Sequence, residues 1–166
     1  MTTDHSGIDG SGSALATCVL APNPSPMTLD GTNTWLIAAS DSTVALVVDP
    51  GPDDPGHLQR VVQQAGQAGR RIAQILLTHG HEDHSAGARR LAELTGAPVR
   101  AADPAHRLGA EGLADGDVIE LAAYPDVPTV MAADRPITPR CPVVVLDGDQ
   151  AWLSLPDGDG DGPDDH

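Results

Sequence analysis

Seven consecutive residues restrict this chain more than any others. Thr78-His79-Gly80-His81-Glu82-Asp83-His84 follows directly on an apolar run, residues 72–78 (IAQILLT). A short apolar run between a basic pair and a His/Gly cluster reads as a buried strand, so three imidazoles and a carboxylate are delivered together at one strand end. On an extended turn His79 and His81 point to the same side, and one cation can take both. Asp83 and His84 lie past the bend and can face a second position. Gly80, without a side chain, permits the tight backbone approach this needs. Imidazole nitrogen and carboxylate oxygen suit a borderline ion such as Zn²⁺, with Fe or Mn as other candidates. A lone histidine would be an ordinary exposed loop residue. Four ligand-type residues in H-x-H-x-D-H order at a strand end point instead to metal ligation. The candidate ligands are His79, His81, Asp83 and His84.

The flanking sequence alternates strand and helix patterns. Residues 14–21, 34–38 and 43–48 are β-rich, the last two forming a hairpin through Ser40-Asp41-Ser42. Leu58, Val61, Val62 and Ala65 fall at helical spacing, which predicts a helix over 54–68. Residues 84–95 predict a second helix that stops at Gly96. Strands are expected at 98–101 and 117–121, with a short helix at 103–108. This alternation indicates α/β layers. Beyond residue 122 prolines punctuate the chain and only residues 143–146 read as a strand. The Gly/Ser-rich residues 1–13 read as a flexible leader, and the Asp-rich residues 156–166 as a disordered tail. No internal repeat is visible.

Composition narrows the partners. The 166 residues carry a formal net charge of −15, and all 9 basic residues are Arg. Such a field repels phosphate backbones and anionic membranes. With no Phe and only Trp35, Trp152 and Tyr124 as aromatics, stacking platforms for single-stranded nucleic acid are disfavoured as well. No apolar run approaches the roughly 18 residues of a membrane-spanning helix. Asp4 and Asp9 stand where a signal peptide carries basic residues. Cys18 and Cys141 make no disulfide framework, so a cytoplasmic protein with reduced thiols is expected. Asp157-x-Asp159-x-Asp161-Gly162 begins like a calcium loop, but Pro163 follows directly and no acidic residue stands at its twelfth position.

The H-x-H-x-D-H segment resembles the motif of the metallo-β-lactamase superfamily, matching it at His79, His81, Asp83 and His84. The segment from Asn23-Pro24-Ser25-Pro26-Met27-Thr28-Leu29 through Asp30-Gly31-Thr32-Asn33-Thr34-Trp35-Leu36 is similar to the opening of a lactamase-like branch that includes endoribonucleases. Val48-Asp49-Pro50-Gly51 is similar to the superfamily's first motif, and residues 94–103 and 113–117 fit the same branch. The resemblance implies an αββα sandwich, recognisable over residues 14–121, with a metal site at the loop edge of two packed sheets. It implies up to two zinc ions, which lower the pKa of a shared water for attack on an ester, thioester, amide or phosphodiester. Asp83 would ligate and also orient that water, making it the candidate catalytic residue. Asp49 would brace the motif loop; an ordinary strand-ending Asp before Pro-Gly is the equal alternative. Thr32 and Asn33 read as turn residues, and Glu82 as solvent-facing.

The family's later ligands are not matched. His106, in Asp103-Pro104-Ala105-His106-Arg107, reads as a surface residue, and His166 ends the sequence. Thr138-Pro139-Arg140-Cys141 is only a faint echo of T-P-G-H, and Asp147-Gly148-Asp149 reads as a strand-end turn before a bridging ligand. Residues 122–155 therefore read as a divergent or incomplete second half, leaving one metal or none, and little hydrolase activity for the chain by itself. The substrate expected is a small ester or thioester. A lactamase-like endoribonuclease is the alternative, as is a non-catalytic metal-binding module whose uncovered sheet face pairs with a second copy.

Overall fold

Strand β3 (Val44–Val48), the uninterrupted apolar run VALVV, is buried along its whole length because it is the middle of a five-stranded sheet. The description comes from a computed structural model and covers residues 9–10, 12–13, 15–39, 42–109, 112–114, 117–119, 143–147 and 150–154. Residues 1–8, 40–41, 138–141, 148–149 and 156–166 lie outside the described residues. With them lie most of the expected leader, the turn of the hairpin, the T-P-G-H echo, two residues of the Asp147-Gly148-Asp149 triplet and the acidic tail.

Strands β1 (Ala16–Leu20), β2 (Asn33–Ile37) and β3 run antiparallel, and β4 (Arg71–Leu76) and β5 (Val99–Arg100) continue the sheet in parallel. The switch is imposed by helix α1 (Pro55–Gln67), which carries the chain back across the sheet. Asp54 caps α1, its carboxylate accepting the His57 N–H at 2.7 Å, and Pro55 occupies the first turn where no amide donor is needed. The register of β4 slips against β3 between Ala45 and Leu46. That bulge explains why the apolar residues of β4 do not simply alternate. Ile72, Ile75 and Leu77 share one core with Ala45 and Val47, whereas Leu76 joins Leu46 and Val48 on the other face.

The first face is covered by α1 and by α3 (Ala88–Thr95) through Leu58, Val61 and Leu91, each fully buried. On the second face Ala16, Ile37, Leu46, Leu76 and Leu113 are buried too. A second, antiparallel sheet is built from β6 (Val118–Ile119), β7 (Val143–Asp147) and β8 (Gln150–Ser154).

Two expectations need correction. The single helix predicted over 84–95 is two pieces, α2 (Glu82–Ser85) and α3, joined at Gly87. The Gly87 amide donates to the Gly51 carbonyl at 2.9 Å rather than to the preceding helical turn, so the helix breaks there. Strand β8 was not expected at all. Its partner β7 was, and β8 exists by pairing along the full length of β7. Gly96 ends α3 in the left-handed conformation, as its position predicts. Among the described residues no helix is long and apolar enough to cross a membrane.

Candidate metal centre

The candidate ligands lie where β3 and β4 end side by side. The Asp49 amide donates to the Leu76 carbonyl at 2.9 Å, continuing the parallel ladder one residue past β3. Asp49 then takes a positive φ of 52°, an uncommon conformation for a residue other than glycine. The turn aims its carboxylate, which is almost fully buried, at the segment following β4.

That carboxylate organises the motif. Oδ1 accepts the Thr78 backbone N–H at 2.8 Å, and Oδ2 accepts the Thr78 hydroxyl at 2.6 Å. Oδ2 also lies 3.0 Å from His84 Nδ1, which donates to it. With its proton committed to Asp49, the Thr78 hydroxyl accepts from His79 Nδ1 at 2.9 Å. The chain His79 → Thr78 → Asp49 ← His84 therefore fixes both imidazoles in one tautomer, with each Nε2 left as a bare lone pair. A carboxylate on the far nitrogen of a metal-ligating histidine has the same effect. Of the two readings of Asp49, the bracing one holds. Thr78, whose hydroxyl links the two histidines, was not singled out from sequence.

The Nε2 lone pair of His84 lies 3.3 Å from Asp83 Oδ2. Two acceptors at that separation repel unless something positive sits between them. A second proton on His84 is one answer, and its pKa is raised above the ordinary histidine value. The Asp49 hydrogen bond is the main cause, the Asp49 and Asp83 charges assist, and burial opposes. A divalent cation is the other answer, and the donor set suits one. His79 moves the other way, its pKa lowered first by burial and then by the neighbouring His84. It offers a neutral, ligand-ready ring.

Asp49, His79 and His84 each bring one ligand-type atom to within 4.8 Å of the others. Because both Asp49 oxygens are already engaged by Thr78 and His84, Asp49 serves as the brace of this trio. The rings of His79 and His84 are 4.3 Å apart, and those of His79 and His81 are 4.7 Å apart, edge to face. His81 is exposed at the start of α2, and Asp83 and His84 are half-buried on its single turn. Thus His79 and His84 converge with Asp49, Asp83 meets His84, and His81 stands beside His79 on the solvent side. Glu82 is exposed, as expected.

His106 departs from its surface reading. It is half-buried at the end of a 3₁₀ turn (Pro104–His106), with its ring against Gly80. Any Cβ at Gly80 would overlap that imidazole, so a side chain there would push the His106 ring aside. On the open side, Met27, Thr28 and Trp35 face His79, Asp83 and His84 across a cavity of about 470 Å³. The loop carrying Met27 is tied to itself, with Asn23 bonding the Thr32 amide at 2.9 Å and the Thr32 hydroxyl at 3.0 Å. Thr32 lies past that turn, directly before β2, and lines the cavity together with Asn33, the first residue of the strand, so neither is the turn residue it was read as. Met27 and Leu29 are exposed, at 89% and 77%.

Comparison with known proteins agrees with this geometry. A lactamase-like protein of Pestalotiopsis microspora is 38% identical over 69 residues, covering 42% of this chain and 21% of that protein. The beta-lactamase-like protein 2 homolog of Drosophila melanogaster is 41% identical over 73 residues, covering 42% and 23% respectively. The matched stretch thus spans less than a quarter of these relatives. The solved structure of MEM-A1, a subclass B3 metallo-β-lactamase from a soil metagenome library, superposes with a TM-score of 0.52 at 18% identity, over 85% of this chain and 54% of that one. At that identity the likeness shows the fold alone. A sequence profile of the metallo-β-lactamase superfamily matches residues 27–164, running through the segment that read as divergent. With most of its length matched and an Asp-braced H-x-H-x-D-H turn at the sheet edge, this chain belongs to the metallo-β-lactamase superfamily.

Proposed function

We propose that the domain is a metal-dependent hydrolase of small esters or thioesters, with His79, His81, Asp83 and His84 as its metal ligands. The carrying observation is the gathering of Asp49, His79 and His84 within 4.8 Å of one another, with His84 Nε2 3.3 Å from the Asp83 carboxylate, a donor set that suits a cation. A bound divalent ion supplies Lewis-acid polarisation of a substrate carbonyl and a lowered pKa for an attacking water. Zinc suits the imidazole-rich set best, with iron or manganese as alternatives.

The residues of the chain do the rest. His79 and His84 present preset lone pairs, and the Asp49–Thr78 brace keeps both rings from turning away. Asp83 has one oxygen toward His84 and orients the water from the other. Met27 and Trp35 give the opposite wall an apolar surface, which suits the acyl portion of a small substrate better than a phosphodiester backbone. The net charge of −15 disfavours RNA independently, by repelling its phosphates.

The matched motif supplies four ligands from one short segment, and this favours a second reading, a metal-binding module without turnover. One experiment separates the readings. The full chain is stripped with chelator, titrated calorimetrically with zinc, then assayed on a chromogenic thioester, an ester and a short RNA. Zinc uptake with thioester or ester hydrolysis that His81→Ala abolishes is the expected result. Uptake without turnover establishes the module, cleavage of RNA alone the ribonuclease. No heat with zinc, iron or manganese salts overturns the metal site itself.

A further inference from the structure

Outside the proposed chemistry lies a buried polar pair with no evident business in an aliphatic core. His57, on the first turn of α1, is 3% exposed, and its Nε2 lies 2.9 Å from the hydroxyl of Thr34 on β2, which is 0% exposed. His57 Nδ1 is buried without a hydrogen-bond partner. Burying an imidazole and a hydroxyl costs more than burying an aliphatic pair of the same volume. Packing alone does not account for the choice.

The pair sits directly beneath Gly51. A Cβ built there would make ordinary van der Waals contact with both His57 Nε2 and Thr34 Oγ1, at 3.4 Å from each, so the two polar atoms line the space beside the glycine about one methyl away. Gly51, at a φ of +84°, in turn grips the C-terminal end of the α2 turn. Its N–H donates to the His84 carbonyl at 3.0 Å, and its carbonyl accepts from the Gly87 amide at 2.9 Å. His84 is thus held at two points, its ring by Asp49 and its backbone by Gly51.

Resting on the metal-site reading above, we infer that Thr34 and His57 are a positioning pair, a rigid floor under Gly51 that sets where the His84 imidazole meets a bound cation. The Thr34–His57 hydrogen bond gives that floor one height, where two aliphatic side chains would allow several packings. Burial keeps His57 neutral by pushing its pKa down, so the pair adds no charge beneath the site.

The test uses the full chain and two metals alone. Zinc affinity is read by competition with a chromophoric chelator, and ligand geometry by the visible spectrum of the cobalt(II) form. Thr34→Val, which keeps the volume and removes the hydroxyl, is expected to weaken zinc about tenfold and to shift the cobalt bands. Thr34→Ser restores the hydroxyl and is expected to restore both readouts. His57→Gln, judged on the same readouts, stands in should Thr34→Val not fold. Val61→Ala, in the same helix and core, lowers thermal stability and is expected to leave both readouts in place. Wild-type zinc affinity and cobalt spectrum in Thr34→Val and His57→Gln overturn the inference, as does an equal loss in Val61→Ala. A wild-type chain that takes up no zinc overturns the metal reading, and this inference with it.

Discussion

Replacing Asp49 by Asn reverses the polarity of the whole bracing chain. The side chain is nearly isosteric, and Asn tolerates the positive φ of 52° at this position. Its oxygen can still accept the Thr78 amide, as Oδ1 does now at 2.8 Å. An amide NH₂ then replaces Oδ2 and must donate where Oδ2 accepted. The Thr78 hydroxyl turns round and donates to His79 Nδ1, and His84 must present a bare Nδ1 to the new donor. Both rings then carry their proton on Nε2, the nitrogen required for the metal. Loss of one outer partner costs about 10–100-fold in metal affinity, and two inverted rings place Asp49→Asn at the upper end, about 100-fold or about 2.7 kcal/mol. Exchanging charged for neutral hydrogen bonds also costs the metal-free protein about 1–2 kcal/mol. Zinc competition titration measures the first quantity, and long-range ¹H–¹⁵N NMR of the imidazoles reports the tautomers directly. Asp49→Asn binding zinc as tightly as the unsubstituted chain would refute the reasoning. So would a metal-free wild-type His84 without a proton on Nδ1.

Gly80→Ala should lower thermal stability and metal affinity by forcing the His106 ring off the motif, and His106→Ala in the same chain should recover part of both, a coupling that a double-mutant cycle reads out. The pH dependence of metal-free stability should carry the signature of His57. Its folded pKa is depressed, so the unfolded chain binds the extra proton, and stability falls as pH drops below about 6.5. Urea unfolding of His57→Leu against wild type across that range should show a shallower decline in the variant, and parallel curves would contradict the assignment.

The parts of the fold carried by local pattern were readable in the sequence. The helix over 54–68 and the apolar β3 and β4 runs announce themselves through periodicity and length, because each buries a face on its own terms. The H-x-H-x-D-H segment was legible because its residues are contiguous, whereas the approach of Asp49 to His79 and His84 was not. What escaped depends on tertiary closure. The break at Gly87 is set by a carbonyl thirty-six positions earlier, at Gly51, and nothing within residues 84–95 signals it. Thr78 read as the end of a strand because a hydroxyl becomes a proton relay only once Asp49 lies beside it. His57 falls within a predicted helix whose apolar stripe is complete without it, and its burial follows from where Thr34 sits on β2. His106 read as exposed since the glycine that receives its ring is 26 residues away.

The strand order β1-β2-β3-β4-β5 in the larger sheet follows the order of the chain. Each strand therefore docks on the one just made, and no loop must wait for a distant partner, a topology that favours rapid assembly. Asp49 sits one residue past β3 on the β3–β4 ladder, so zipping β4 into register delivers Thr78 to the carboxylate in the same stroke. During synthesis, the imidazoles would accordingly be primed while the residues that form β7 and β8 are still inside the ribosome.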